Sequence, residues 1–214
     1  MLIYVIRHGE TDANAEGQFQ GWTDYPLNEN GRALAAITGQ KLRGVRFDAC
    51  FSSPLRRALE TAEIVLRESG SGLTVTRDDR LKELNMGQWE GRKFRPGERE
   101  IPEEQVKLFF NDPVKLVGFP SGETIHQVIA RTQEFLKDLA AREDGKTYLV
   151  STHGFALRAM LNFLYENPSD FWHGHVPYNC AVNIIEVKNG TMNHIGDDKV
   201  YYDPAEVIDR YARY

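Results

Sequence analysis

Two histidines follow apolar runs directly: Arg7-His8 after residues 2–6, and His153-Gly154 after residues 148–151. A third run, 47–51, is followed closely by Arg56 and Arg57, and an extended stretch over 74–84 contains Glu83. Two imidazoles, two or three guanidinium groups and one carboxylate make a set with a definite chemistry. Arginine offers planar paired donors that match the oxygens of a phosphoryl group. A neutral imidazole has one unprotonated ring nitrogen able to attack an electrophile, provided an acceptor such as a backbone carbonyl holds the other. A nearby carboxyl can give and take a proton. The set suits a displacement at the phosphorus of a tetrahedral oxyanion. A carboxylate ligand is the competing reading, because it uses the same arginine fork.

These residues are distant in sequence, so the elements around them must bring them together. Residues 2–6, 47–51 and 148–151 read as strands, and 74–84 as extended. Asn28 can cap a helix to about Leu42, with Gly44 as its stop. Ser53-Pro54 opens a helix to about Arg67, since proline suits a first helical turn. Between Gly122 and Arg142 the apolar residues Ile125, Val128, Ile129, Phe135, Leu136 and Leu139 form one helical stripe. Residues 155–165 continue as a helix, and Asn189-Gly190 joins 181–187 to 191–195 in a hairpin. Segment 92–121 is polar, broken by four prolines, and holds one short helix over 103–111; residues 204–214 form another. Alternating strands and helices predict a three-layer α/β/α domain with a mostly parallel, mixed central sheet. In such a sheet the carboxyl ends of the strands share one crevice. Arg7, His8 and His153 lie just past two strand ends there, and Arg56 and Arg57 lie at the start of the helix after a third. One helical step separates Arg56 and Arg57 by roughly 100°, so only one of the two is expected to face the crevice.

The motifs resemble those of a known family. Arg7-His8-Gly9-Glu10-Thr11 with Asn14 and Gly21-Trp22 is similar to the opening signature of the histidine phosphatase superfamily, also called phosphoglycerate mutase-like. Ser52-Ser53-Pro54-Leu55-Arg56-Arg57-Ala58 with Thr61-Ala62 resembles its second block. Leu81-Lys82-Glu83-Leu84-Asn85-Met86-Gly87, continuing through Trp89-Glu90-Gly91, resembles its acid/base block. Ser151-Thr152-His153-Gly154 with Leu157-Arg158 resembles the last. The resemblance implies a phosphoglycerate mutase-like fold over 1–214 as one domain, with a short lid-like insertion at about 92–121. It implies a nucleophile at His8, phosphate-binding arginines at Arg7 and Arg57, a second phosphate-binding histidine at His153 and a proton donor at Glu83. Asn14 falls on a polar residue that contacts phosphate, and Gln20 and Gly21 on a substrate loop.

The family includes both phosphatases and cofactor-dependent phosphoglycerate mutases. The mutase branch carries a long lid with paired arginines, extra basic and tyrosine residues around the acid/base block, and an asparagine after the second His-Gly. Here the corresponding positions are Met86 and Phe155, and segment 92–121 is short with no Arg-Arg pair. The resemblance therefore favours a metal-independent and cofactor-independent phosphomonoesterase acting on a small phosphorylated metabolite whose leaving group has an apolar body. The mutase is the alternative within the family, and a catalytically inactive phospho-ligand binding module the alternative outside it. Arg92, Lys93, Arg95 and Arg99 are candidates for a second anionic group, and Trp22 and Asn179 for the pocket wall.

Bulk properties limit other readings. At 214 residues, 41% hydrophobic and 27% charged, the chain is long enough and apolar enough to bury a core. A net charge of −5 gives no global field for nucleic acid or an anionic membrane. The first apolar run has about six residues and no basic region before it, too short for a secretory leader, and no run approaches the roughly 20 residues of a membrane span. A cytoplasmic protein is expected. Cys50 and Cys180 lie in apolar surroundings and read as reduced core residues, and His173-Gly174-His175 lacks further ligands at metal-site spacing.

Overall fold

The inner strands of the sheet direct alternate side chains to two different helical layers. The computed structural model describes residues 1–116, 118–142 and 144–203. Its strands are β1 (Leu2–Arg7), β2 (Ala49–Ser52), β3 (Val75–Arg77), β4 (Thr147–Thr152), β5 (Val182–Lys188) and β6 (Thr191–Lys199). Its helices are α1 (Asp12–Glu16), α2 (Glu29–Lys41), α3 (Arg56–Ser69), α4 (Glu103–Asn111), α5 (Ile125–Ala140) and α6 (Gly154–Leu161). The sheet order is β3-β2-β4-β1-β5-β6. β3, β2, β4 and β1 run parallel, and β5 and β6 add antiparallel pairing, so the sheet is mixed as expected.

On one face, Ile3 and Val5, Tyr148 and Val150, and Ile185 and Val187 pack with Phe135, Leu136 and Leu139 of α5 and Leu157 and Met160 of α6. On the other, Ile6, Cys50, Leu149 and Val182 pack with Leu34 and Ala35 of α2 and Ala62 and Val65 of α3. The period of two is what one sheet buried on both faces requires. Both cysteines are free and buried, and burial pushes each thiol up to about 12.

Local chemistry explains the departures from the sequence reading. The loop after β1 contains α1, because Thr11 and Asn14 form a capping box and Gly17 closes the helix in the left-handed region. Five residues are too few to show a period. The stretch 74–84 is a strand only over Val75–Arg77, followed by a 3₁₀ turn at Asp79–Leu81. Helix α3 starts at Arg56 rather than at Ser53-Pro54, and Ser53 serves the site instead. Helix α5 starts at Ile125 on a Thr124/Gln127 capping box, and α6 ends at Leu161 in a 3₁₀ turn. Segment 92–121 is not merely polar. Phe94, Ile101, Val106, Phe109, Leu116 and Phe119 are buried in a third cluster with Phe19, Ile125, Phe155 and Trp172. The hairpin is longer than read, through Lys199. The helix expected over 204–214 lies outside the described residues. Among those described, no helix is long and apolar enough to cross a membrane.

Leu149 sits fully buried on the central strand β4. Leu149→Ala is expected to cost about 2–5 kcal/mol of unfolding free energy, read from a urea midpoint at unchanged slope. A loss below about 1 kcal/mol would mean this layer is loosely packed.

Candidate active site

Parallel pairing of β1 and β4 sets Arg7 beside Thr152, so His8 and His153 leave the sheet together. Their rings lie 5.2 Å apart, edge to face. The His8 N–H donates to Thr152 O at 2.9 Å, and Asn179 Nδ2 donates to His8 O at 3.0 Å. His8 Nδ1 lies 2.6 Å from Gly9 O. A carbonyl only accepts, so Nδ1 carries the proton and Nε2 is the unprotonated ring nitrogen. The next turn is packed without side-chain room: a Cβ on Gly9 would stand 2.5 Å from Gly31 O in α2. Thr61 Oγ1 accepts the Gly9 N–H at 3.0 Å and donates to Arg57 O at 2.7 Å, joining this turn to α3.

His153 is fully buried, with Nε2 2.8 Å from Ser53 Oγ and Nδ1 without a partner among the described residues. Arg57 is also fully buried. It donates through Nη2 to Gly21 O at 2.6 Å and through Nη1 to Thr23 O at 2.9 Å, and its Nε has no partner among the described residues. Arg56 is exposed, one helical step away. Arg7 is buried and donates to Pro177 O.

The loop that receives Arg57 has its own support. Gly21 adopts φ +52°, and a Cβ there would stand 2.1 Å from Glu90 Oε1. Glu90 accepts from Trp22 N at 2.8 Å and Met86 N at 3.1 Å through Oε1, and from Thr23 N at 2.6 Å through Oε2. Asp24 Oδ1 accepts from Arg56 N at 2.7 Å, supplying the cap that Leu55 lacks at the start of α3.

Glu83 plays the same part for α6, whose N-cap His153 makes no capping bond. Glu83 Oε1 accepts from Leu84 N at 2.8 Å and Ala156 N at 3.0 Å, and Oε2 from Phe155 N at 3.1 Å. The Glu83 carbonyl is pinned by Arg131 Nη2 and Trp22 Nε1, both at 2.8 Å, and Arg131 in turn pairs with Glu123.

Arg7, His8, Asn14, Gln20, Gly21, Arg57 and Glu83 thus line one solvent-open pocket. His153 is not a lining residue but lies against His8. Asn14 Oδ1 and Gln20 Oε1 both accept from Thr11 Oγ1, at 3.2 and 2.9 Å. Trp22 lies outside the pocket, under Lys82, and Asn179 stands behind His8. Arg92, Lys93, Arg95 and Arg99 also stay out of the lining; they bond Gln88 O, Glu98, Asn14 O and Glu103. His173 stacks on Tyr165 and His175 faces Asp198. The sequence reading missed Glu90 and Arg131 as supports, and Phe19, Phe109, Phe110 and Trp172 as pocket wall. Glu90 stands inside a recognised motif, but nothing in its spacing shows that it binds backbone.

Burial, then the charges of Arg57 and Arg7, hold the His8 imidazole well below the ordinary 6.5, against the Gly9 hydrogen bond. Burial, then Arg57 and His8, lowers His153 in the same direction. Burial lowers Arg57 to about 10, leaving it charged at neutral pH. Both imidazoles are therefore expected to stay neutral as pH falls through 6.5, measured by ¹⁵N-edited NMR of the rings; titration of His8 at or above 6.5 would contradict this electrostatic picture. Below 6.5 the unfolded chain binds protons that the folded one refuses, so the stability these two groups contribute is lost as pH falls toward their lowered folded values.

Comparison with known proteins agrees with the geometry. The chain shares 36% identity with the structure of Bacillus stearothermophilus YhfR, covering 93% of this chain and 97% of that one at a TM-score of 0.84. It is 31% identical to a 2,3-bisphosphoglycerate-dependent phosphoglycerate mutase of Lachnoclostridium phytofermentans, over 83% of each. It is 32% identical to phosphoserine phosphatase 1 of Hydrogenobacter thermophilus, over 79% of each. Residues 3–195 match the histidine phosphatase superfamily (branch 1), and with that match the chain belongs to this family of phosphatases and mutases.

Proposed function

We propose that the protein is a metal-independent phosphomonoesterase that works through a phosphohistidine on His8. The observation that carries the choice of hydrolysis over mutase transfer is the wall beyond His8. Met86, Phe94, Phe109, Phe110, Phe155 and Trp172 form it, and among the described lining residues only Arg7 and Arg57 are cationic. A phosphoglycerate brings a carboxylate as well as a phosphate, and this wall offers that carboxylate no further cation. The mutase names of some relatives favour the other reading, so the assay includes it.

In the first half-reaction, His8 Nε2 attacks phosphorus in line. The bond from phosphorus to the leaving oxygen breaks, its electron pair goes to that oxygen, and Glu83 supplies the proton. Arg7, Arg57 and His153 spread the charge of the phosphoryl oxygens. His153 Nδ1 and Arg57 Nε are buried nitrogens with no hydrogen-bond partner among the described residues. In the second half, water attacks phosphorus and gives a proton to Glu83. The phosphorus–nitrogen bond breaks, and its electron pair returns to Nε2. The imidazole needs no activation beyond its neutral form, which its burial maintains. Segment 92–121 contributes Phe94, Phe109 and Phe110 to the wall that shields the leaving group.

Phosphate release from p-nitrophenyl phosphate should persist in EDTA and fall by about 10⁴-fold or more in His8→Ala. Glu83→Gln should release p-nitrophenolate in a burst equal to the enzyme and then turn over about 10²-fold slower. Bisphosphoglycerate-dependent interconversion of phosphoglycerates would make the protein a mutase, and silence in both assays would make it a binding module.

A further inference from the structure

We infer that the site selects phosphorylated phenols: its ligand carries an aromatic ring directly on the phosphate ester oxygen. This rests on the phosphomonoesterase reading above and narrows its substrate.

The wall is aromatic, not only apolar. Phe19 follows α1, Phe109 and Phe110 come from α4, Phe155 opens α6, and Trp172 belongs to the loop before β5. Rings from four parts of the chain meet at one place. Phe109 and Phe155 stack at 5.7 Å, Phe19 and Phe110 at 6.2 Å, and Phe109 meets Trp172 at 5.5 Å and 63°. The one polar atom of Trp172 is spent inside the wall, since Nε1 donates to Phe109 O at 2.9 Å. The rings are largely buried against one another, and the surface they leave to the pocket is aromatic, with the half-buried Phe110 and the thioether of Met86 beside it. Such surfaces hold another ring better than an alkyl chain of equal area, through edge and offset contacts. A rigid ring also loses less conformational freedom on binding than a flexible chain.

The carboxylate on the other side points the same way. The two oxygens of Glu83 already accept three backbone N–H groups, from Leu84, Phe155 and Ala156. An aryl oxide leaves with the electron pair of its bond to phosphorus and takes its proton from Glu83 or from water afterwards. An alkoxide needs that proton during departure. Phenolic esters thus make the least demand on a carboxyl engaged in this way, and Phe155 supplies both a ring of the wall and one of those N–H donors.

Two measurements test the inference separately from turnover. The first is calorimetric binding of phenylphosphonate and methylphosphonate, neither of which is hydrolysed. Phenylphosphonate should bind at least about tenfold tighter. Phe110→Leu, at a half-buried position, should cut that ratio severalfold while its melting temperature confirms folding. The second is kcat/KM on phenyl, benzyl and n-hexyl phosphates and glycerol 3-phosphate, expected to fall in that order. Equal binding of the two phosphonates would overturn the inference, as would glycerol 3-phosphate or hexyl phosphate as the best substrate. Turnover of no ester, with the phosphonate ratio intact, would sink the hydrolase reading and leave ring recognition standing.

Discussion

Arg57 is a guanidinium removed from water, and its surroundings are arranged around that fact. A buried charge must find hydrogen-bond partners or it destabilises the fold. The bonds that hold Arg57 go to two backbone carbonyls, Gly21 O and Thr23 O. Carbonyls satisfy the N–H groups without cancelling the charge, so the cation keeps its pull on an anion. The loop that aims those carbonyls inward must in turn place its N–H groups elsewhere, and Glu90 accepts two of them, from Trp22 and Thr23. Asp24 then ties the loop to the start of the helix that carries Arg57. One buried cation accounts for the left-handed glycine, the two acidic residues and the entry of α3.

Glu83 shows a second economy. A helix start needs acceptors for its first N–H groups, and α6 takes them from a carboxylate over 70 residues away in sequence. That geometry fixes Glu83 relative to His153, the residue just before the helix. Arg131 and Trp22 hold the backbone of Glu83 from behind. Side chain and main chain are thus set by different neighbours, which leaves little freedom at the position proposed for proton transfer.

The sheet was legible because its strands are short apolar runs of simple period, and the crevice because Arg7-His8 and His153 follow such runs at once. Helix geometry says that only one of Arg56 and Arg57 faces the crevice, and the family resemblance says that it is Arg57. Three things were hidden, each for a physical reason. Helix α1 is made by a capping box in five residues. The helix starts at Arg56 and Gly154 are capped by carboxylates from other segments, so the local sequence does not show their capping partners. The wall of the pocket draws Phe19, Phe109 and Trp172 from separate segments, and prolines around α4 hid the apolar content of 92–121. Which rings meet is a tertiary fact that spacing does not contain.

The two buried cysteines bear on how this molecule can be handled. They are all the cysteines in the chain, and thiolate is the reactive form of the side chain. With both thiols buried between the sheet and helices α2 and α3 and pushed up to about 12, the folded protein is expected to react only slowly with maleimide at neutral pH. A single cysteine introduced on the surface would then carry a fluorophore at one known place, with neither native thiol removed.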